Sequence, residues 1–395
     1  MSPVSGVKQK TPEKKATTPI HDAAWRQSKW RAAVRRKLLR WFDQNARELP
    51  WRSDPQPYHV WVSEIMLQQT QVATVLPYYA RWLRAFPNVL ALAHADEADL
   101  MRHWEGLGYY RRVRSMHAAA KKIVADHGGE FPLEYDQVLA LPGIGRYTAG
   151  AILSISSDAR LPILEGNTQR VFSRLIGLRE HPTEKNANAL LWDVAAKMLP
   201  RSGCGIFNQA AMELGALVCQ PNPKCDECPL MTHCSAAETG SQQEIPGKIK
   251  KIRYEDKHEF ALIVRRDRST KSEYLVRPLP DGERWAGLWD FPRPTHFQTQ
   301  TADDVCQWLG TELNRQVHVG PRLQTIRHAV TKYRIQLDVH QATLAKPLPT
   351  PRKPWQWASL ESLAELPLST TGRKIADALA RRRQPMLPAL GDDRE

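Results

Sequence analysis

The chain has 395 residues, 42% of them apolar, and carries 56 Lys/Arg against 42 Asp/Glu, a formal charge of +14. That length holds two domains with separate cores, and the charge, concentrated in the first 60 residues, points to a polyanion such as nucleic acid, whose counterions Lys and Arg release. No apolar run approaches a membrane span and the N-terminus lacks the apolar core of a signal peptide, so a soluble intracellular protein is expected.

In chain order, residues 1–24 read as a disordered basic tail rich in Lys, Thr and Pro. Residues 25–235 read as a mainly α helical-bundle domain. Val34, Leu38, Trp41 and Phe42 make one apolar stripe, Trp61, Ile65 and Val72 another. Turn signals recur at Pro50, Pro87, Gly106, Gly108, Gly128, Gly129, Gly143 and Gly145. The stretch Trp61–Gln71 reads as a helix with Glu64, Gln68 and Gln71 along one side. Among Trp61, Ile65 and Met66, desolvation favours the neutral form of Glu64, the state a general acid needs. A solvated helix glutamate is the plainer reading of that residue alone.

Leu141-Pro142-Gly143-Ile144-Gly145 reads as a turn between two helices. Gly143 and Gly145 lack side chains, so backbone amides there and at the next helix start can approach a phosphate. Glu165-Gly166-Asn167 then places a carboxylate among turn formers. Four cysteines follow as Cys219-x5-Cys225-x2-Cys228-x5-Cys234. In a reducing compartment this is a metal site more often than a disulfide scaffold. The spacing suits tetrahedral zinc and a [4Fe–4S] cluster alike. Cys204 and Cys306 read as ordinary thiols. Residues 236–257 form a linker in which Lys248, Lys250, Lys251 and Arg253 either touch phosphate or are merely solvated. Residues 258–382 read as a smaller α+β domain. Its strands lie near Phe260–Val264, Tyr274–Val276 and the alternating run Tyr333–His340, its helices near 302–314 and 371–382. Residues 383–395 read as a disordered tail.

The string Leu141–Thr148 resembles the helix-hairpin-helix motif of DNA repair glycosylases. The cysteine segment, closing a hairpin-bearing helical domain, resembles the iron–sulfur loop of the endonuclease III and MutY glycosylases. Their first spacing is usually six residues, where this chain has five. Gln68-Gln69-Thr70-Gln71, Leu49-Pro50-Trp51-Arg52, Gly106-Leu107-Gly108-Tyr109-Tyr110 and Phe207-Asn208-Gln209 resemble the signatures of MutY-type adenine glycosylases, densely over residues 30–235 and more loosely to about 365. The resemblance implies that Glu64 protonates adenine and that Tyr147 and Asn167 orient the acids and the sugar. It implies adenine contacts from Gln209 and Arg52, wedges at Gln69 and Tyr109, and a phosphate-holding hairpin at Gly143 and Gly145. Cys219, Cys225, Cys228 and Cys234 would hold a [4Fe–4S] cluster. Endonuclease III-type enzymes carry a nucleophilic lysine where Tyr147 stands, so a monofunctional glycosylase is implied. The second carboxylate is an aspartate in that family; Glu165 is one methylene longer and is read as its working substitute.

Arg284-Trp285-Ala286-Gly287-Leu288-Trp289-Asp290-Phe291-Pro292 resembles the Nudix-like domain of the same family, and no acidic metal-holding box follows it. Where that family reads 8-oxoguanine with a Phe-Ser-His loop, this chain has Val330-Thr331-Lys332; Thr331 keeps the hydroxyl, and the segment reads either as an altered lesion-reading loop or as a β-turn that only packs on the helical domain. The expectation is an adenine-specific glycosylase that acts on double-stranded DNA with an 8-oxoguanine:adenine or guanine:adenine mispair. It would work as a monomer in the cytoplasm at the bacterial nucleoid. Two alternatives stand beside it. One is an endonuclease III-like enzyme for oxidised pyrimidines, against which Tyr147 and the Glu64 helix argue. The other is a non-catalytic lesion-binding protein, which Glu165 alone supports.

Overall fold

Apolar stripes at helical spacing turn the first part of the chain into helices joined by short turns. The computed structural model describes residues 23–247, 254–268, 271–294, 301–330 and 332–383. Residues 1–22 and 384–395 of the two expected tails, the linker cations Lys248, Lys250, Lys251 and Arg253, and Thr331 lie outside these residues; Ala23 and Ala24, read as tail, open the short helix Ala23–Arg26, and Arg383 ends the last helix. The described chain packs as two units. One holds the chain up to Trp61 and from Ile144 to the linker; the other holds Val62–Gly143 and the C-terminal part. The cut falls inside the helix Pro57–Leu67.

In the first unit, Val34 and Leu38 of the helix Ser28–Asn45 are fully buried, with Trp41 and Phe42 packed on the same core. The helix Gly166–Ile176 adds Val171, Phe172 and Leu175, and the helix Cys204–Leu217 adds Phe207, Ala210 and Leu214. Burying each large side chain stabilises the fold by about 1.5–3 kcal/mol. Asn208, buried in this packing, donates from Nδ2 to Ser154 Oγ and Leu161 O, both at 2.9 Å, and so ties that helix to Arg146–Ser157.

In the second unit, the helices Val72–Ala85, Glu97–Trp104 and Arg111–His127 pack through Trp82 and Trp104, whose rings meet edge-on at 5.4 Å. Its other part is built on a mixed sheet. The strands are β1 (Glu255–Arg268), β2 (Lys271–Pro278), β3 (Trp289–Asp290), β4 (Val317–Val330), β5 (Tyr333–Leu344) and β6 (Gln356–Ser359). The order is β3-β2-β1-β5-β4 with β6 beside β2. The β1–β5 pair is parallel, Phe260 opposite Asp338, and the other pairs are antiparallel. Central β1 is buried on both faces, which explains its unbroken apolar run. Ala261 and Ile263 face the core under the helices Leu360–Glu365 and Thr370–Arg383. Phe260, Leu262 and Val264 face the core under the helix Ala302–Leu313. Strand β1 begins at Glu255, inside the stretch read as linker, because Glu255–Lys257 already pair with Tyr333–Ile335. Among the described residues no helix is long and apolar enough to cross a membrane.

Candidate functional site

Glu64 sits in the helix Pro57–Leu67 between Ser63 and Ile65 and is 5% exposed. The burial expected from its apolar neighbours is present. The helix is shorter than expected. It stops at Leu67, and Gln68, Gln69 and Gln71 lie in the turn before the helix Val72–Ala85 rather than beside Glu64 on one helical face. The cause is local: Gln69 takes a left-handed φ of 56°, which no helix continues. Its side chain is exposed. Tyr109, the second expected wedge, is likewise left-handed, at φ 48°, and 57% exposed.

The glycine turn has the expected form. Gly143 has φ 78°, and a Cβ there would lie 2.5 Å from that of Ser115, so this position needs glycine twice over. Gly145 is extended and is the N-cap of the helix Arg146–Ser157; no side chain caps this end, which carries the positive pole of the helix. One residue inside that helix, the Tyr147 hydroxyl lies 3.5 Å from Met212 Sδ.

Glu165 is the N-cap of Gly166–Ile176. Its Oε2 accepts from Asn167 N and its Oε1 from Thr168 N, both at 2.8 Å, while Thr168 Oγ1 accepts from Glu165 N. This reciprocal box fixes the longer side chain. Burial pushes the Glu165 carboxyl above its ordinary range, against the two amides and Arg170, which favour the anion. Arg170 then joins four groups: it donates to Asn167 Oδ1 at 2.9 Å, Gly166 O at 3.2 Å, Gly215 O at 2.7 Å and Cys219 O at 2.6 Å.

The four cysteines share one loop. Burial pushes the Cys228 thiol up to about 12 and raises those of Cys225 and Cys234, and in each case neighbouring cysteines of the set push further. The loop is shorter by one residue than the related pattern, and buried Arg174 braces it. Its guanidinium donates to Gln220 O at 2.6 Å, Pro221 O at 3.0 Å and Ile245 O at 2.9 Å, and lies 3.4 Å from Cys219 Sγ. Among the described residues no three His, Cys, Asp or Glu side chains converge tightly enough for a single metal ion. Cys204 and Cys306 are buried thiols.

Sequence reasoning missed an ionic triad. Glu213, 1% exposed, accepts from Arg47 at 2.7–3.0 Å and from Arg52 at 2.8–3.2 Å. Burial pushes its carboxyl up, but the two guanidiniums outweigh this and hold it at about 2. Arg52 also lies over the Phe42 ring, so its side chain is fixed on three sides. A signal was present: Glu213 is the one acid of Cys204–Leu217 and stands four residues after half-buried Gln209, on the same helical face.

In the C-terminal part, Val330 and Tyr333 close the β4–β5 pair. Exposed Lys332 donates to Glu255 at 2.6 Å. Beneath them His328 lies by the Trp285 ring, and burial with Arg293 and Arg284 nearby lowers its pKa to about 4.

The profile of the HhH-GPD superfamily of base excision DNA repair proteins matches residues 62–197, and that of the NUDIX domain matches residues 260–378. The chain is 33% identical to the adenine DNA glycosylase of Mus musculus over 87% of its own length and 77% of that protein. Against the adenine DNA glycosylase of Buchnera aphidicola subsp. Schizaphis graminum the identity is 33%, over 86% and 96% of the two chains. The Homo sapiens adenine DNA glycosylase is 30% identical over 87% and 73%. The helical hairpin part, the Nudix-like sheet and these likenesses along most of both chains show that the protein belongs to the adenine DNA glycosylase family.

Proposed function

We propose that the protein excises adenine mispaired with 8-oxoguanine or guanine in double-stranded DNA, by acid-assisted cleavage of the N-glycosidic bond. The observation that carries this is a carboxyl group, Glu64, buried in an apolar helix of a chain from this family. Adenine is a poor leaving group until a ring nitrogen is protonated, and Glu64 supplies the proton. Bond breaking leaves an oxocarbenium-like sugar, which a second carboxylate stabilises. Glu165 fits that part: developing positive charge favours its anion, and the capping bonds hold it in one rotamer. Asn167, tied to Arg170, and Tyr147 orient the sugar and the acids; a phenol forms no Schiff base, so strand cleavage is not expected.

Gln209 and Arg52, with Glu213 behind Arg52, receive the extruded base. Gln69 and Tyr109 fill the gap it leaves, and Gly143 and Gly145 present amides to the backbone. Thr331 and its neighbours read the opposite base. Cys219, Cys225, Cys228 and Cys234 would hold a [4Fe–4S] cluster, which when bound fixes the loop that follows the catalytic helices. The place of the four thiols at the end of a hairpin-bearing helical domain of this superfamily supports this over zinc. We place the protein with the chromosome in the cytoplasm, as a monomer.

The test is single-turnover release of adenine from 8-oxoguanine:adenine and guanine:adenine duplexes. Glu64→Gln is expected to slow release by at least about 10²-fold, the worth of a general acid, while duplex binding persists. Glu165→Gln should do the same and Glu165→Asp should retain release. Binding without release by the wild type would sink the enzymatic reading, and undiminished release by Glu165→Gln would remove that residue from the mechanism. Strand scission in step with release would return the endonuclease III-like reading.

A further inference from the structure

We propose that Arg112 is a positioning residue for base extrusion, a clamp that holds the turns of Gln69 and Tyr109 in fixed relation to each other and to the end of the Glu64 helix. This rests on the reading of Gln69 and Tyr109 as wedges and adds what sets them.

The guanidinium of Arg112 is half-buried and divided between two turns. Its Nη1 donates to Ile65 O at 2.7 Å, Met66 O at 3.1 Å and Gln68 O at 2.6 Å. Its Nη2 donates to Leu107 O at 3.1 Å and Gly108 O at 3.2 Å. The first three acceptors are at the C-terminal end of Pro57–Leu67, whose last carbonyls have no partner within the helix and whose last turn holds no basic residue. Arg112 supplies that cap from another helix. The last two acceptors form the approach to Tyr109.

Local preference does not explain the residue. It stands in the first turn of Arg111–His127, where the helix dipole disfavours a cation. Burial lowers its pKa to about 10. Its face lies over the rings of Trp104 and Tyr109, at 5.3 and 5.5 Å. The clamp meets two of the five described non-glycine residues with a left-handed backbone, Gln69 and Tyr109, and such conformations persist only when their surroundings fix them. The Tyr109 turn is braced further. Trp104 Nε1 donates to Gly108 O at 3.0 Å and the Tyr78 hydroxyl to Glu105 O at 2.8 Å. Gly106, at φ 98°, has no room for a Cβ beside that hydroxyl. A lysine has one nitrogen and cannot reach both turns as the planar fork does.

If the clamp sets the wedges, its loss slows extrusion rather than bond cleavage. An adenine that is already unpaired then needs it less, since unpairing is the step that was assisted. The experiment measures single-turnover release by the full chain from a guanine:adenine duplex and from a duplex with the adenine in a one-nucleotide bulge. It compares wild type with Arg112→Met, Arg112→Lys, Tyr109→Ala, Gln69→Ala and the Arg112→Met/Tyr109→Ala double variant. Both Arg112 variants are expected to slow release from the mispair by roughly 10- to 100-fold, the scale of an ångström misplacement. From the bulge the loss should be several-fold smaller, and the double variant should lose little more than Tyr109→Ala. Equal losses on both duplexes, full additivity with Tyr109→Ala, or no loss on the mispair would each overturn the proposal. Unchanged release by both Tyr109→Ala and Gln69→Ala would instead overturn the wedge reading. Should Arg112→Met fail to fold, Arg112→Lys carries the comparison together with amide exchange, which must quicken at residues 68–70 and 107–109 together.

Discussion

At the scale of the residue, two acids show how environment assigns roles. Glu165 has one methylene more than the aspartate its position implies, and the structure gives the extra length a use: both oxygens reach amides of the helix it caps. The position of Glu213 on the helical face of Gln209 marked it in the sequence, but its role did not follow, because that depends on Arg47 and Arg52, more than 160 positions away. Removing its charge leaves two guanidiniums short of an acceptor. Glu213→Gln is therefore expected to cost roughly 3 kcal/mol at neutral pH, somewhat less than a fully buried pair because Arg47 is partly exposed. Denaturant titration measures it. The carboxyl titrates near 2 when folded against an ordinary 4.5, so its contribution is complete above 4.5 and is lost as pH falls toward 2. The stability gap between wild type and Glu213→Gln should close over that window; a gap constant from pH 7 to 2 would mean the triad is not what holds Arg47 and Arg52.

Among the elements, those with strong periodicity were legible and their ends were not. The stripe of Ser28–Asn45, the glycine turn at Gly143 and the apolar run of β1 follow from side-chain spacing alone. The end of the Glu64 helix does not. Residues 68–71 have ordinary helical composition; the helix breaks at the left-handed Gln69, and a guanidinium from Arg111–His127 collects the carbonyls left at its end. Strand β4 shows the same limit, since its pattern did not reveal that His328 would lie half-buried by Trp285 with the charges of Arg293 and Arg284 near it. That burial has a measurable result. His328 binds its proton near pH 4 when folded and near 6.5 when unfolded, so stability falls as pH drops through this range. His328→Gln should flatten the pH dependence of the unfolding free energy between 6.5 and 4, by roughly 1–2 kcal/mol at the acid end once solvent screening of the half-buried ring is allowed for. An unaltered slope would show that the histidine is solvated.

On the scale of the whole molecule, the second unit joins its helical and sheet parts by arginines. Arg373, on the last helix, makes a paired contact with Glu105 at 2.6 and 2.9 Å and also donates to Leu363 O and Leu366 O. Arg114 donates to Ala286 O, and Arg102 pairs with Glu365 at 2.5 Å. Glu105 opens the turn that presents Tyr109, so the Nudix-like part bears directly on that turn. A double-mutant cycle of Arg373→Met and Glu105→Gln should give a coupling energy of about 1 kcal/mol or more, because the pair is largely shielded from water. Additive losses would mean that the two parts merely touch. The sequence by itself determined the class of the protein, the mainly helical and α+β parts, the cysteine set, the buried acid helix and the hairpin. These are properties of spacing and residue type, and each is written within a few turns of chain. Only the tertiary structure decided how the end of the Glu64 helix is capped, how Glu165 is held, and which guanidiniums meet Glu213 and the turns of Gln69 and Tyr109. Those outcomes depend on partners distant in sequence, whose carbonyls and carboxylates come within hydrogen-bond reach only after the helices have packed.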